Sequence, residues 1–206
     1  KFLHIQPLGR YSFSHHPFAS SSSLALFFSS AVPLLIFPCS ISYNDDLELL
    51  GFDIDERKIG LPLGEALRQK PNCSWNIVDT IKSKAPVLEA PVIDGYAGLM
   101  DNYPEENRFL VSEKLRNSTD MNRVSWTNRL ERKWKDKVIK ELKARKVEIL
   151  VNYLPVGSQK TTEFWAEICL ETGISFVNCI PVFIASDPVW EQRFIDAGIP
   201  IVGDDM

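Results

Sequence analysis

The residues of this chain whose types and spacing suit chemistry stand in four short clusters. Phe52-Asp53-Ile54-Asp55 carries two acids two positions apart, followed at once by Arg57 and Lys58. Leu154-Pro155-Val156-Gly157-Ser158 joins a glycine that lets backbone approach a ligand to a hydroxyl able to cap a helix, whose N-terminus attracts negative charge. An ordinary strand-to-helix turn has the same composition. Asn178 offers an amide that suits a ribose or carboxamide, or its own turn. Asp204 and Asp205 are neighbouring carboxylates, able to shift each other's pKa and to serve proton transfer or metal binding. In an extended segment adjacent side chains point opposite ways, so one of the two is expected to face a site.

Each cluster follows an apolar run, and those runs set the fold. Leu47–Phe52 reads as a buried strand ending at Asp53, Gly60–Gln69 as a short helix, and Val87–Ile93 as an edge strand interrupted by Pro91. Asp101–Arg123 is polar and predicts a surface excursion. Trp126, Leu130, Trp134, Val138 and Leu142 recur every four residues between lysines and arginines, the pattern of an amphipathic helix with a solvated basic face. Then strands at Val147–Asn152, Ile174–Asn178 and Ile199–Val202 alternate with helices at Lys160–Glu171 and Pro188–Ala197. Gly173 and Gly198 supply stop signals, and Asp187-Pro188 is a helix start with Asp as cap and Pro in the first turn. Strands joined through helices imply right-handed crossovers and a parallel sheet. The fold class is α/β, with ligands expected outside the carboxyl ends of the strands.

Composition narrows the partners. The chain has 206 residues, 45% of them hydrophobic, and a net charge of -4, which gives no reason to expect nucleic acid or a membrane surface. Cys39, Cys73, Cys169 and Cys179 show no metal-ligand spacing, and Cys169 and Cys179, in apolar surroundings, predict reduced, buried thiols; no metal site is expected.

Residues 1–44 do not match the rest. They hold all three histidines (His4, His15 and His16), ten serines and no acid. Leu24–Ile41 is apolar and serine-rich, interrupted by Pro33 and Pro38. A transmembrane helix, an organelle-targeting peptide and non-native coding sequence with no selected fold all remain open for it. The leader is expected to be disordered, with the folded domain at 45–206.

An acid at the end of a second Rossmann strand accepts hydrogen bonds from an adenosine ribose and selects NAD over NADP. Asp53 and Asp55 hold that position. Arg57 and Lys58 would suit a 2′-phosphate, which the acids would repel. The Gly-x-Gly-x-x-Gly turn that should precede this strand is missing, since no two glycines stand two apart. Either this is not a dinucleotide fold, or it is a Rossmann-like NAD-binding domain left incomplete, its first strand and glycine-rich turn replaced by the leader.

Four stretches carry a family resemblance: Phe52-Asp53-Ile54-Asp55 with Lys58 and Gly60; Tyr153 to Ser158; Asn178 with Pro181-Val182-Phe183-Ile184-Ala185-Ser186-Asp187-Pro188; and Pro200-Ile201-Val202-Gly203-Asp204-Asp205. Pro91-Val92-Ile93-Asp94-Gly95 adds a fifth. From about Asp45 to Met206 the chain resembles the inositol-1-phosphate synthase (myo-inositol-3-phosphate synthase) family, in its shorter prokaryotic branch. The resemblance implies an NAD-dependent isomerase that converts glucose 6-phosphate to inositol 3-phosphate in the cytoplasm, or in an organelle if the leader is a transit peptide. It implies a homotetramer with no membrane partner. By position, Asp53 and Asp55 would hold the adenosine ribose. Leu154, Pro155, Gly157, Ser158, Asn178 and Asp204 would line the NAD cleft, with Asp205 as a proton-relay participant. The family's catalytic lysines lie beyond the Gly-Asp-Asp motif, so the sequence reads as a fragment expected to be inactive and to bind NAD poorly. A dehydrogenase that releases reduced cofactor, and a non-catalytic remnant, are the competing readings.

Overall fold

The computed structural model describes residues 23–27, 48–72, 84–96, 101–117 and 127–204. Among the described residues six parallel strands form one sheet in the order β3-β2-β1-β4-β5-β6, with β1 at Ser23–Phe27, β2 at Glu48–Asp53, β3 at Leu88–Glu89, β4 at Val147–Asn152, β5 at Ser175–Asn178 and β6 at Ile201–Gly203. This is the doubly wound order, in which strand succession reverses between β1 and β4.

The expected loss of the first strand is corrected by this topology. Ser23–Phe27, from the leader, pairs with Glu48–Phe52 on one side and with β4 on the other. Its serine-flanked text hid it, because five residues beside prolines and serines carry no usable periodicity. No glycine lies between Arg10 and Leu50, so the sequence there contains no glycine-rich turn.

Right-handed crossovers explain where the helices lie. The connections into β4, β5 and β6 run one way along the sheet and place α3 (Asn128–Ala144), α4 (Gln159–Thr172) and α5 (Pro188–Ala197) on one face. There Leu50, Phe52, Leu150 and Phe176 meet Trp134, Val138, Leu142, Trp165, Ile168 and Phe194, all buried. Each such side chain contributes about 1.5–3 kcal/mol by leaving water. The connection from β2 to β3 runs the other way, and its short helix α1 (Leu63–Ala66) packs Leu63, Ala66 and Leu67 against Val87 and Val151 on the opposite face.

Local signals set the helix ends. Thr127 caps α3 by accepting from Leu130 N, Asp187 caps α5 by accepting from Val189 N and Trp190 N, and Gly173 and Gly198 end α4 and α5 in the left-handed region. On α3, Lys135 reaches Glu131 and Glu171, and Lys137 reaches Glu89, surface pairs of little energetic consequence.

The polar excursion is only partly a surface feature. It forms α2 (Glu113–Asn117), and Phe109, Val111 and Leu115 are buried in the main core. Phe109-Leu110-Val111 is only three residues long and Leu115 stands alone among charges, too little to announce an element by periodicity. Cys39 and Cys73 lie outside the described residues; Cys169 is buried and Cys179 half-buried, both as thiols. Among the described residues no helix is long and apolar enough to cross a membrane.

Candidate functional site

The carboxyl edge of the sheet carries two polar centres. The first surrounds a pocket whose lining includes Asp53, the last residue of β2, and Ile54 after it, Pro91 and Asp94 after β3, Leu154, Pro155 and Ser158 after β4, and Phe109 from the excursion. Apart from the carboxylates of Asp53 and Asp94 its walls are mainly apolar, and no Lys or Arg lines it.

Asp53 is held rigidly. Its Oδ1 accepts from Ile54 N at 2.7 Å and Asp55 N at 2.9 Å, and its Oδ2 accepts from Lys58 Nζ at 2.9 Å. Burial pushes its carboxyl above the usual range, although Lys58 and the two backbone amides pull the other way. Three donors leave room for about one more, since a carboxylate has roughly four lone-pair sites.

Asp55 has no such room. Fully buried, it accepts from Arg57 N, Arg57 Nε, Arg57 Nη2 and Leu110 N, at 3.0, 2.9, 2.6 and 3.2 Å. The Arg57 guanidinium also donates to the carbonyls of Glu105 and Arg108. Asp55 therefore ties the β2 loop to the excursion and is not placed to share a ribose. Its other expected neighbours, Arg57 and Lys58, are turned to these acids.

The cap of α4 also differs from expectation. Ser158 stands at the N-cap position but makes no side-chain cap bond. Asp94 does this work from the loop after β3: its Oδ2 accepts from Lys160 N at 2.6 Å, and its Oδ1 accepts from Thr161 N at 2.9 Å and Thr161 Oγ1 at 2.8 Å. A side-chain carboxylate thus already fills the anion-attracting end of the helix. Gly95, at φ +81°, packs so tightly on Ser158 that a Cβ there would collide with the serine side chain. Gly157, at φ +94°, has open space beside it and is not among the pocket lining.

The second centre is a buried ladder across β4, β5 and β6. Asn152 Nδ2 donates to Thr162 Oγ1 at 3.2 Å and Asn178 Oδ1 at 2.8 Å, while Asn152 Oδ1 accepts from Leu154 N at 3.1 Å. Asn178 Nδ2 donates to Val182 O and to Asp204 Oδ1 at 2.7 and 2.9 Å. Asp204 also accepts from the backbone of Ile184, Ala185 and Ser186 and from Ser186 Oγ. Burial pushes its carboxyl up, but the bonds from Asn178, Ala185 and Ser186 outweigh that and hold it below the ordinary range.

Of the expected site residues, Asp53, Leu154, Pro155 and Ser158 share the pocket, while Asn178 and Asp204 belong to the ladder. Asp205 lies outside the described residues. Sequence reasoning missed Asp94, Thr161 and Asn152. One signal for Asn152 was legible: asparagine ends two successive strands, and Asn152 and Asn178 are register partners.

No family model matches the chain. Over 162 residues it is 38% identical to the inositol-3-phosphate synthase of Corynebacterium glutamicum, an alignment covering 78% of this chain and 38% of that protein. The matched region belongs to the inositol-3-phosphate synthase family. Two further synthases, from Mycolicibacterium smegmatis and Mycobacterium tuberculosis, are 37% and 36% identical over 155 residues, covering 75% of this chain and 36% of each. The chain thus spans less than two-fifths of the length of the synthases it matches. Among solved structures, the crystal structure of Ari2 superposes with a TM-score of 0.57 and 21% identity over 90% of this chain and 53% of that one, a likeness of fold alone.

Proposed function

We propose that this chain supplies the adenosine-holding part of an NAD-dependent inositol-3-phosphate synthase, an isomerase that turns glucose 6-phosphate into inositol 3-phosphate for inositol and phospholipid synthesis. The observation that carries the reading is the pocket at the carboxyl ends of β2, β3 and β4, with Asp53 at its edge and apolar walls from Ile54, Pro91, Leu154 and Pro155. Those walls suit the faces of a purine, and Asp53 has acceptor capacity for a ribose hydroxyl. Lacking any cation in its lining, the pocket disfavours a 2′-phosphate.

The fit extends to the adenosine half only. The leader contributes no glycine between Arg10 and Leu50, and Asp94 fills the N-terminus of α4, so the described residues offer no cradle for a diphosphate. NAD binding by these residues is accordingly weak. When bound, NAD supplies a nicotinamide that stores and returns a hydride. Asn152, Asn178 and Asp204 hold the neighbouring loops in place, and Asp205 is the candidate for moving a proton there. Glucose 6-phosphate as substrate and a homotetrameric assembly are proposals for the whole protein.

Calorimetric titration of the chain with adenosine and with NAD tests the reading. Asp53→Asn is expected to lower adenosine affinity by about tenfold, the equivalent of one charge-assisted hydrogen bond. Equal adenosine affinity in the variant and the parent chain would overturn it. For the whole protein with glucose 6-phosphate, net accumulation of NADH would favour a simple dehydrogenase instead.

A further inference from the structure

Behind the pocket wall lies a buried cation that the proposed reading leaves without a role. Lys58 and Asp53 are paired at 2.9 Å with both side chains 1% exposed. Lys58 Nζ also donates to Asn72 Oδ1 at 3.0 Å and lies 5.6 Å from the centre of the Phe109 ring, which lines the same pocket. The turn after β2 sets this placement, because Lys58 N donates to Asp55 O at 3.0 Å and the side chain folds back under the strand end. Lys58 itself is not part of the pocket lining, so it can act on a ligand only through Asp53.

We infer that Lys58 is a positioning residue for nucleoside binding, which favours the charged form of the buried Asp53 and orients its carboxylate as a hydrogen-bond acceptor. The inference rests on the adenosine reading of the pocket. A buried carboxylate without a cation takes up a proton, and a carboxylic acid offers a donor where a ribose hydroxyl needs an acceptor. The other charged groups around Asp53 cannot replace Lys58. Asp55 is matched by Arg57, Asp94 sits across the pocket on the end of α4, and Glu89, the register partner of Asp53 on β3, is paired with Lys137. The nearest other cation, the Arg57 guanidinium, is already committed to Asp55.

The test compares the parent chain, Lys58→Met and Asp53→Asn by adenosine titration between pH 5 and pH 8, together with a carbon-13 titration of the Asp53 carboxyl. Lys58→Met is expected to weaken adenosine binding by about tenfold at the low end of that range and to recover part of the loss as pH rises, with the Asp53 midpoint moved upward. The parent chain, with Lys58 in place, is expected to lose less affinity toward the acid end than Lys58→Met does. Adenosine binding that is lost in Asp53→Asn but kept at every pH in Lys58→Met overturns this inference alone, as does an unmoved Asp53 midpoint. No adenosine binding by the parent chain overturns the pocket reading as well. Should Lys58→Met fail to fold, Asn72→Ala loosens Lys58 without removing its charge. About a threefold loss of affinity that Asn72→Asp restores supports the inference, and an unchanged affinity in Asn72→Ala overturns it.

Discussion

Asn178 Nδ2 meets Asp204 Oδ1 at 2.9 Å, and through that bond the ends of β5 and β6 share one buried polar group. The asparagine is itself held by Asn152, and the aspartate gathers the amides of Ile184, Ala185 and Ser186. The loop after β5 is therefore folded around a carboxylate. This arrangement gives Asp204 a structural duty regardless of any ligand.

Asp204→Asn replaces an acceptor by a group that presents donors to donors, and is expected to cost about 1–3 kcal/mol at neutral pH. The pH dependence has a definite sign. The folded carboxyl titrates below its ordinary value of 3.8, so its stabilisation is complete above that value and is lost as pH falls through the lower folded one. Urea midpoints for the two proteins should differ at pH 7 and converge towards pH 3. A gap that stays constant would contradict this.

Asp94→Ala should loosen the first turn of α4 and cost about 1–2 kcal/mol, the usual magnitude for a lost helix cap. Amide exchange at Lys160 and Thr161 should accelerate, since those are the N–H groups it accepts from. Ser158→Ala, which removes no cap bond, is expected to cost less. The reverse ordering would return the cap to Ser158.

Gly203→Ala is expected to be severe. Gly203 has φ +130°, and a Cβ there would collide with the Asn178 carbonyl, the acceptor of Asp204 N. The strain and displaced backbone should cost about 3 kcal/mol or more. For a domain of this size that lowers the melting temperature by roughly 6–12 °C, readable by thermal unfolding.

Arg57→Leu leaves the fully buried Asp55 with backbone donors alone. Stripping one partner from such a pair should cost about 2–4 kcal/mol, discounted because Arg57 is partly exposed. Chemical denaturation measures it. Stability within error of the parent would mean that the pair is not retained in solution.

Much of the second half of the fold was legible. β4 and α5 match their sequence boundaries because Asp187-Pro188, Gly198 and the apolar run before Asn152 are all local signals. The pairing of Asp94 with Thr161 spans 67 residues and leaves no trace in either neighbourhood. The saturation of Asp55 was hidden for a subtler reason. The arginine that saturates it stands only two positions away, but nothing in the spacing tells whether it turns back or outward. Lys58 is similar: its burial depends on Asn72 and Phe109, both distant in sequence.

The placement of Ser23–Phe27 has one more consequence. These residues are the seam on which two half-sheets, β2 with β3 and β4 through β6, are stitched by hydrogen bonds. A processing event that clipped them away would not trim a margin. It would open two raw strand flanks in the interior of the molecule, the kind of exposed template on which neighbouring chains aggregate.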